Sequence, residues 1–332
     1  MPELRKDPIV GRWVIISSER GKRPSDFLVN HEKRVGGFCP FCAGNEFTTP
    51  HEIMAFREPN TAPDSPGWNL RVVPNKFPAL QIEGDLGKEG RGMYDAMKGV
   101  GAHEVIIESP LHQETFSSMP VRKVADVIWA ARERMADLRR DMRFKYILVF
   151  KNHGMSAGAT LEHSHSQIIA LPIVPKRVRE EVEGAERHFR FKERCIYCDI
   201  VRQEMADRSR LIGENEDFIS VAPFAPRFPF ETWILPKRHA PRFEDGDRNH
   251  CDYLARIVQD TLRRMDAVLE EPSYNLIIHS APLRENHDEY FHWHVEIMPK
   301  LTRVAGFEWG SGFYINPTPP EEAAVFLREA LV

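Results

Sequence analysis

A long, degenerate internal repeat constrains this chain more than any other feature, because a duplicated unit fixes architecture before any single motif is interpreted. From Cys39 the order is CPFC, the strand-like RVVPNKFPAL, HEVIIESPLH ending at His112, a helix, the strand YILVF, and HSHSQIIALP at positions 163 to 172. From Cys195 it returns as CIYC, FISVAPFAPRFPF, ETWILPKRH ending at His239, a helix, YNLII, and HWHVEIMP at positions 292 to 299. The helices are read from a 3.6-residue period: Val121, Val124, Ile128, Ala131, Met135 and Leu138 share one face, as do Leu254, Ile257, Val258, Met265 and Val268. The strand segments are rich in Val, Ile, Phe and Tyr and are bounded by Pro, Gly or Asn. The expected fold is therefore α+β, with two tandem, pseudo-symmetric domains at 1–178 and 179–332, each an antiparallel sheet with packed helices. The charged stretch Lys176–Arg194 reads as a helix at the boundary.

The repeat also carries its chemistry twice. Cys39, Cys42, His112 and His163 in the first copy occupy the slots of Cys195, Cys198, His239 and His292 in the second. A lone C-x-x-C is compatible with redox chemistry or two buried thiols. Recurrence of the whole four-residue set points instead to two closed tetrahedral sites, whose thiolate and imidazole ligands suit zinc, with iron also compatible. Four protein ligands leave no open position, so both ions are expected to be structural. The fifth cysteine, Cys251, stands in a helical stretch and reads as a small core residue.

In a strand, side chains alternate between faces, so His163, His165 and Gln167 point one way and Ser164 and Ser166 the other. With His163 held by a metal, His165 rides on a rigid base, as a nucleophile for phosphorus requires. Its other ring nitrogen then needs an acceptor, typically a backbone carbonyl, to set the tautomer. The second copy has His294 and Glu296 in these places. A neutral amide donates a hydrogen bond to a phosphoryl oxygen and an ionised carboxylate does not, so the first half is expected to be active and His294 non-nucleophilic. Upstream, KNHGMSAGATLEH is a small-residue loop whose amides suit a phosphate, or an ordinary turn. Arg20, Lys22 and Arg23 of SERGKRP pair with phosphate or form a solvated charged turn.

Bulk properties exclude other classes. Forty-five basic residues nearly balance 49 acidic ones, so the net charge of -4 offers no global attraction for nucleic acid or an anionic membrane. The N-terminus MPELRKDPIVGRW lacks the apolar core of a signal peptide and no long apolar run occurs, which reads as cytoplasmic.

The motifs RGKRP, CPFC, VVPNKFPAL, ESPLH, FKNHG, HSHSQ, PFETWILPKRH and the HW of FHWH run nearly end to end. With them the chain resembles the galactose-1-phosphate uridylyltransferases of the histidine-triad superfamily and their relatives, the ADP-glucose phosphorylases. The resemblance implies a ping-pong reaction in which His165 receives a nucleoside monophosphate and Gln167 contacts the phosphoryl group. It places Thr160 where a phosphate-contacting serine is usual, and Arg20, Arg23, Asn75 and Asn152 near the nucleotide or sugar phosphate. It also implies a homodimer with active sites at the interface, acting on a nucleotide sugar and a sugar 1-phosphate or phosphate.

The family's second metal site varies, and this chain has the Cys-Cys-His-His form. In the tail LTRVAGFEWGSGFYINP, Phe307 and Glu308 match a hexose-binding pair, while Thr302 and Tyr314 replace a lysine and a glutamine. The leading expectation is a UDP-glucose:hexose-1-phosphate uridylyltransferase of galactose metabolism, and the nearest alternative an adenylyl-transferring phosphorylase. A histidine-triad hydrolase would carry a further histidine at Gln167.

Overall fold

The structure is a computed structural model that describes residues 1–17, 24–27 and 37–332. The first half contains β1 (Glu3–Lys6), β2 (Trp13–Ile16), β3 (Met54–Arg57), β4 (Trp68–Pro74), β5 (Glu89–Arg91), β6 (Tyr94–Ala96), β7 (Ala102–Ile107), α1 (Val121–Leu138), β8 (Tyr146–His153) and β9 (His165–Leu171). After α2 (Lys176–Lys192) and α3 (Ile196–Asp207), the repeat follows as β10 (Leu211–Glu214), β11 (Phe218–Val221), β12 (Thr232–Pro236), α4 (Arg248–Leu269), β13 (Tyr274–His279) and β14 (His294–Pro299). The chain then forms α5 (Gly306–Ser311), β15 (Tyr314–Asn316) and α6 (Pro320–Arg328). The boundary position 178 thus lies inside α2.

Each half contributes five antiparallel strands, and the two sets meet edge to edge in one ten-stranded sheet ordered β10-β11-β12-β14-β13-β8-β9-β7-β4-β3. Outward from the middle the two halves repeat the same order, which is the duplication in three dimensions. The seam is the antiparallel pair β8 and β13, with Phe150 opposite Ile277 and Asn152 opposite Asn275. Fusing the halves here pairs two edges whose backbone groups would otherwise seek another strand.

One face of the sheet is covered by α1 and α4, which pack on each other. Val124, Ile128, Met135, Leu254, Val258 and Met265 meet Ile106, Val149, Ile168, Leu276 and Val295 of the strands in one core. The helical period placed these residues correctly. Val121 is the exception: it opens α1 and is 37% exposed. Cys251 is buried in this core, as its surroundings suggested. On the opposite face, α2 and α3 cover the second half together with the N-terminal segment. Gly184 in α2 permits that contact, because a Cβ there would lie 2.0 Å from the Ile9 carbonyl oxygen. The chain ends are tied together where β15 runs parallel to β2. Among the described residues no helix is long and apolar enough to cross a membrane.

Candidate active site and metal centres

Both expected metal sets assemble. Within each, the four possible ligand atoms lie within 4.8 Å of one another. In the first, Cys42 Sγ is 3.4 Å from His112 Nδ1 and 3.6 Å from His163 Nδ1, and Cys39 Sγ is 3.7 Å from His163 Nδ1. In the second, Cys198 Sγ is 3.4 Å from His239 Nδ1 and 3.5 Å from His292 Nδ1. A tetrahedral ion with zinc bond lengths separates sulfur and nitrogen ligands by about 3.5 Å, so both sets fit such an ion. The outer nitrogens agree. His163 Nε2 donates to the Ser109 carbonyl at 2.7 Å, His239 Nε2 to that of Asp288 at 2.7 Å and His292 Nε2 to that of Pro236 at 3.0 Å, leaving each Nδ1 lone pair directed at the sulfurs. An ion held there would cross-link a C-x-x-C turn to the strands.

Two residues beyond His163, His165 opens β9 and is 7% exposed. Its Nδ1–H donates to the His163 carbonyl at 2.8 Å, the backbone acceptor the chemistry called for. Nε2 therefore keeps its lone pair. Burial lowers the imidazole's pKa, outweighing the His163 carbonyl, and favours the neutral, nucleophilic form. The Phe41 ring, from the C-x-x-C turn, packs edge-on 5.4 Å away.

Gln167 is oriented by a residue that the sequence reading did not single out. His103 Nδ1 accepts from the Ala79 N–H at 3.2 Å, so its proton sits on Nε2, which lies 2.8 Å from Gln167 Oε1. That bond turns the amide –NH2 of Gln167 toward the free side, available to an anionic oxygen. The pairing of Val105 with Gln167 places β7 for this contact.

A second unread feature lies beneath His165, on the helix side of the sheet. Lys151 is buried with its Nζ 2.7 Å from Glu108 Oε2, 2.9 Å from Ser164 Oγ and 3.2 Å from the His165 carbonyl. Ser164 and Ser166 both donate to the Glu108 carboxylate. The backbone of HSHSQ is thus clamped from below by one internal ion pair.

The remaining candidates divide. Asn152 Oδ1 accepts from Asn275 Nδ2 at 2.7 Å across the seam, and the same nitrogen reaches the Ala157 carbonyl at 2.9 Å, fixing the loop before the motif. Gly154 opens that loop at φ 80, where a Cβ would lie 2.1 Å from Ser273 Oγ. Thr160 is exposed, five positions ahead of His165. Asn75 is half-buried, with its Nδ2 3.1 Å from His103 Nε2. Arg20 and Arg23 lie outside the described residues. Phe307 and Glu308 are not brought to His165. They sit on α5, which packs on β15, and Tyr314 of β15 packs on Phe228 in the second half. Among the described residues no hydrogen bond or ring contact links them to β9.

The second half holds a third group with metal-ligating atoms, Glu181, His279 and His294. Here the carboxylates are engaged with cations. His279 is 3.1 Å from Glu181 and 3.4 Å from Glu296, and Arg227 is 2.7 Å from Glu296 and 2.9 Å from Glu231. Burial works against charging His279, but the two carboxylates prevail and hold its pKa at about 10.

A ten-stranded sheet of duplicated α+β halves, with a buried histidine whose Nδ1 is held by a backbone carbonyl and an amide side chain two residues on, defines a nucleotidyltransferase of the histidine-triad type. Profiles of the galactose-1-phosphate uridyl transferase N-terminal and C-terminal domains match residues 1–175 and 180–315. The chain belongs to the galactose-1-phosphate uridyl transferase family. It is 39% identical to the ADP-glucose phosphorylase of Arabidopsis thaliana over 99% of this chain and 93% of that one. It is 29% identical to the galactose-1-phosphate uridylyltransferase of Thermotoga maritima over 100% of this chain and 99% of that one. A crystal structure of the Arabidopsis ADP-glucose phosphorylase with bound ADP-glucose superposes with a TM-score of 0.85, at 37% identity and full coverage of both chains. A uridylyltransferase structure reaches 0.77 at 28% identity, covering 99% of this chain and 97% of that one.

Proposed function

We propose that this enzyme transfers an adenylyl group from ADP-glucose to a phosphate acceptor through a covalent intermediate on His165. The observation that carries the reaction is the pair of fixed hydrogen bonds around the motif: His165 Nδ1–H to the His163 carbonyl, and His103 Nε2–H to Gln167 Oε1. In the first step His165 Nε2 attacks the adenylyl phosphorus, a P–N bond forms and the bond to the sugar 1-phosphate oxygen breaks. The His163 carbonyl stabilises the positive ring this creates, and the Gln167 amide donates to the phosphoryl oxygen as charge gathers on it. In the second step an oxygen of inorganic phosphate displaces His165, giving ADP and restoring the neutral imidazole. Thr160, Asn75 and Asn152 border the phosphates in this reading. Zinc at the two Cys-Cys-His-His sets holds the framework and takes no part in either step.

The adenylyl donor is preferred because similarity to the ADP-glucose phosphorylase is the greater in both sequence and fold. The uridylyl reading, with UDP-glucose as donor and galactose 1-phosphate as acceptor, is supported by the end-to-end match to the Thermotoga uridylyltransferase. Homodimerisation accompanies either reading. Phe307 and Glu308 lie on the second half in their own chain, and would serve His165 of a second copy, together with Arg20 and Arg23. Intact-protein mass spectrometry after brief incubation with ADP-glucose or UDP-glucose decides the matter: an added AMP supports the first reading, an added UMP the second, and no adduct with either refutes the covalent route.

A further inference from the structure

The strand registers allow positions in the two halves to be equated. In the first, Val73 pairs with Val105 and Val105 with Gln167. In the second, Val221 pairs with Trp233 and Trp233 with Glu296. The side chains of Val73 and Val105 therefore flank the reactive strand on one face, and Val221 and Trp233 hold the same places beside His294. Phe41 and Tyr197, the third residues of the two C-x-x-C turns, each pack on the corresponding histidine, at 5.4 and 5.0 Å.

At this second position there is a half-open cleft of about 810 Å³ whose apolar lining includes Val221, Trp233, Ile196 and Ile200. Its volume falls within the roughly 300–1,000 Å³ of small-molecule sites. Lys6, Arg194 and Arg202 also line it. Both arginines, and His188, converge on a single carboxylate, Asp199. The other two acids of the cleft are committed elsewhere, Asp7 to Arg12 and Glu204 to Arg210, each at 2.8 Å. One carboxylate thus faces two guanidiniums and a nearby ammonium, a surplus of positive charge above an apolar floor.

We infer that this cleft is a second, non-catalytic binding site for a nucleoside phosphate, its base against Trp233 and Val221 and its phosphate at Arg194 and Arg202. The ligand class rests on the nucleotide chemistry proposed for the first half. The site binds without reacting because His294 is sealed behind Tyr197 and His279, with rings stacked 5.0 and 4.8 Å away.

Equilibrium dialysis of the full chain with AMP, and separately with UMP, tests this. Two equivalents per chain are expected for one of them. The double variant R194E/R202E and the cleft-filling Ile200→Trp should each retain one equivalent, with affinity at the other site lowered at least tenfold. Covalent labelling of His165 should persist in both variants. A single equivalent in the wild type, or a second equivalent retained in both variants, overturns the inference. Wild-type protein that labels at His165 yet binds one equivalent overturns the cleft and leaves the transfer reaction standing; failure to label at all strikes the reaction, and the dialysis stoichiometry then judges the cleft alone.

Discussion

His165 and His294 occupy the same place in two copies of one fold, sharing a backbone contact and an aromatic neighbour but not the charges around them. Each donates Nδ1–H to the carbonyl of the histidine two residues before it, at 2.8 and 3.2 Å. Around His165 lie an aromatic edge, the amide of Gln167 two positions on and, on the opposite side of the strand, the Lys151–Glu108 pair. Around His294, which is 1% exposed, lies a packed ion network of Glu181, His279, Glu296 and Arg227. The shared carbonyl contact supplies the tautomer. The two sites part at the position two residues on: Gln167 is a neutral amide, whereas Glu296 is a carboxylate held between His279 and Arg227.

Exchanging these features is the direct way to break the comparison. His165→Ala should eliminate the nucleotidyl adduct and lower turnover by about 10⁴-fold or more, while His294→Ala retains the adduct, both read by intact mass and initial rates. A labelled His165→Ala protein would place the nucleophile elsewhere. Next in size, Cys39→Ser and Cys195→Ser should each reduce bound metal from two ions to one and cost several kcal/mol of stability, measured by elemental analysis and thermal melting. Unchanged metal content in either would remove that centre.

Gln167→Glu imports the second half's carboxylate into the first, and should lower the rate of adduct formation by about 10²–10³-fold with little change in melting temperature. His103→Ala frees the amide without adding charge and should cost less, about tenfold; a loss equal to that of Gln167→Glu would mean His103 does more than orient. The smallest effect concerns pH. His279 in the folded chain titrates near 10, above its ordinary 6.5, so its network stabilises fully below pH 6.5 and that contribution is lost as pH rises through 10. His279→Gln should flatten the decline in melting temperature between pH 7 and 10. An unchanged slope would show that another group governs it.

The duplication, the Cys-Cys-His-His sets and the candidate nucleophile were legible because each leaves a local mark: cysteines spaced C-x-x-C, alternating His-Ser-His, and helical faces of Val, Ile and Met. Two kinds of feature left none. The seam between YILVF and YNLII depends on backbone hydrogen bonds, and either segment would look the same as an edge or as a centre strand. Lys151, Glu108 and His103 lie near strand ends beside other polar residues, where spacing carries no information about which side chain will be opposite. The segment with Phe307 and Glu308 was legible in composition and not in place: α5 packs on β15, and among the described residues no hydrogen bond or ring contact joins it to β9.

The seam also dictates an order of events. Strands β7, β8 and β9 find each other within one stretch of chain, but Asn152 must wait 123 residues for Asn275. Contacts so distant in sequence form late, since closing the intervening loop must precede any gain from them. During synthesis the first half can therefore pair its five strands with β8 still an open edge; the seam closes only once β13 has emerged, and the still more distant pairing of β2 with β15 only after that.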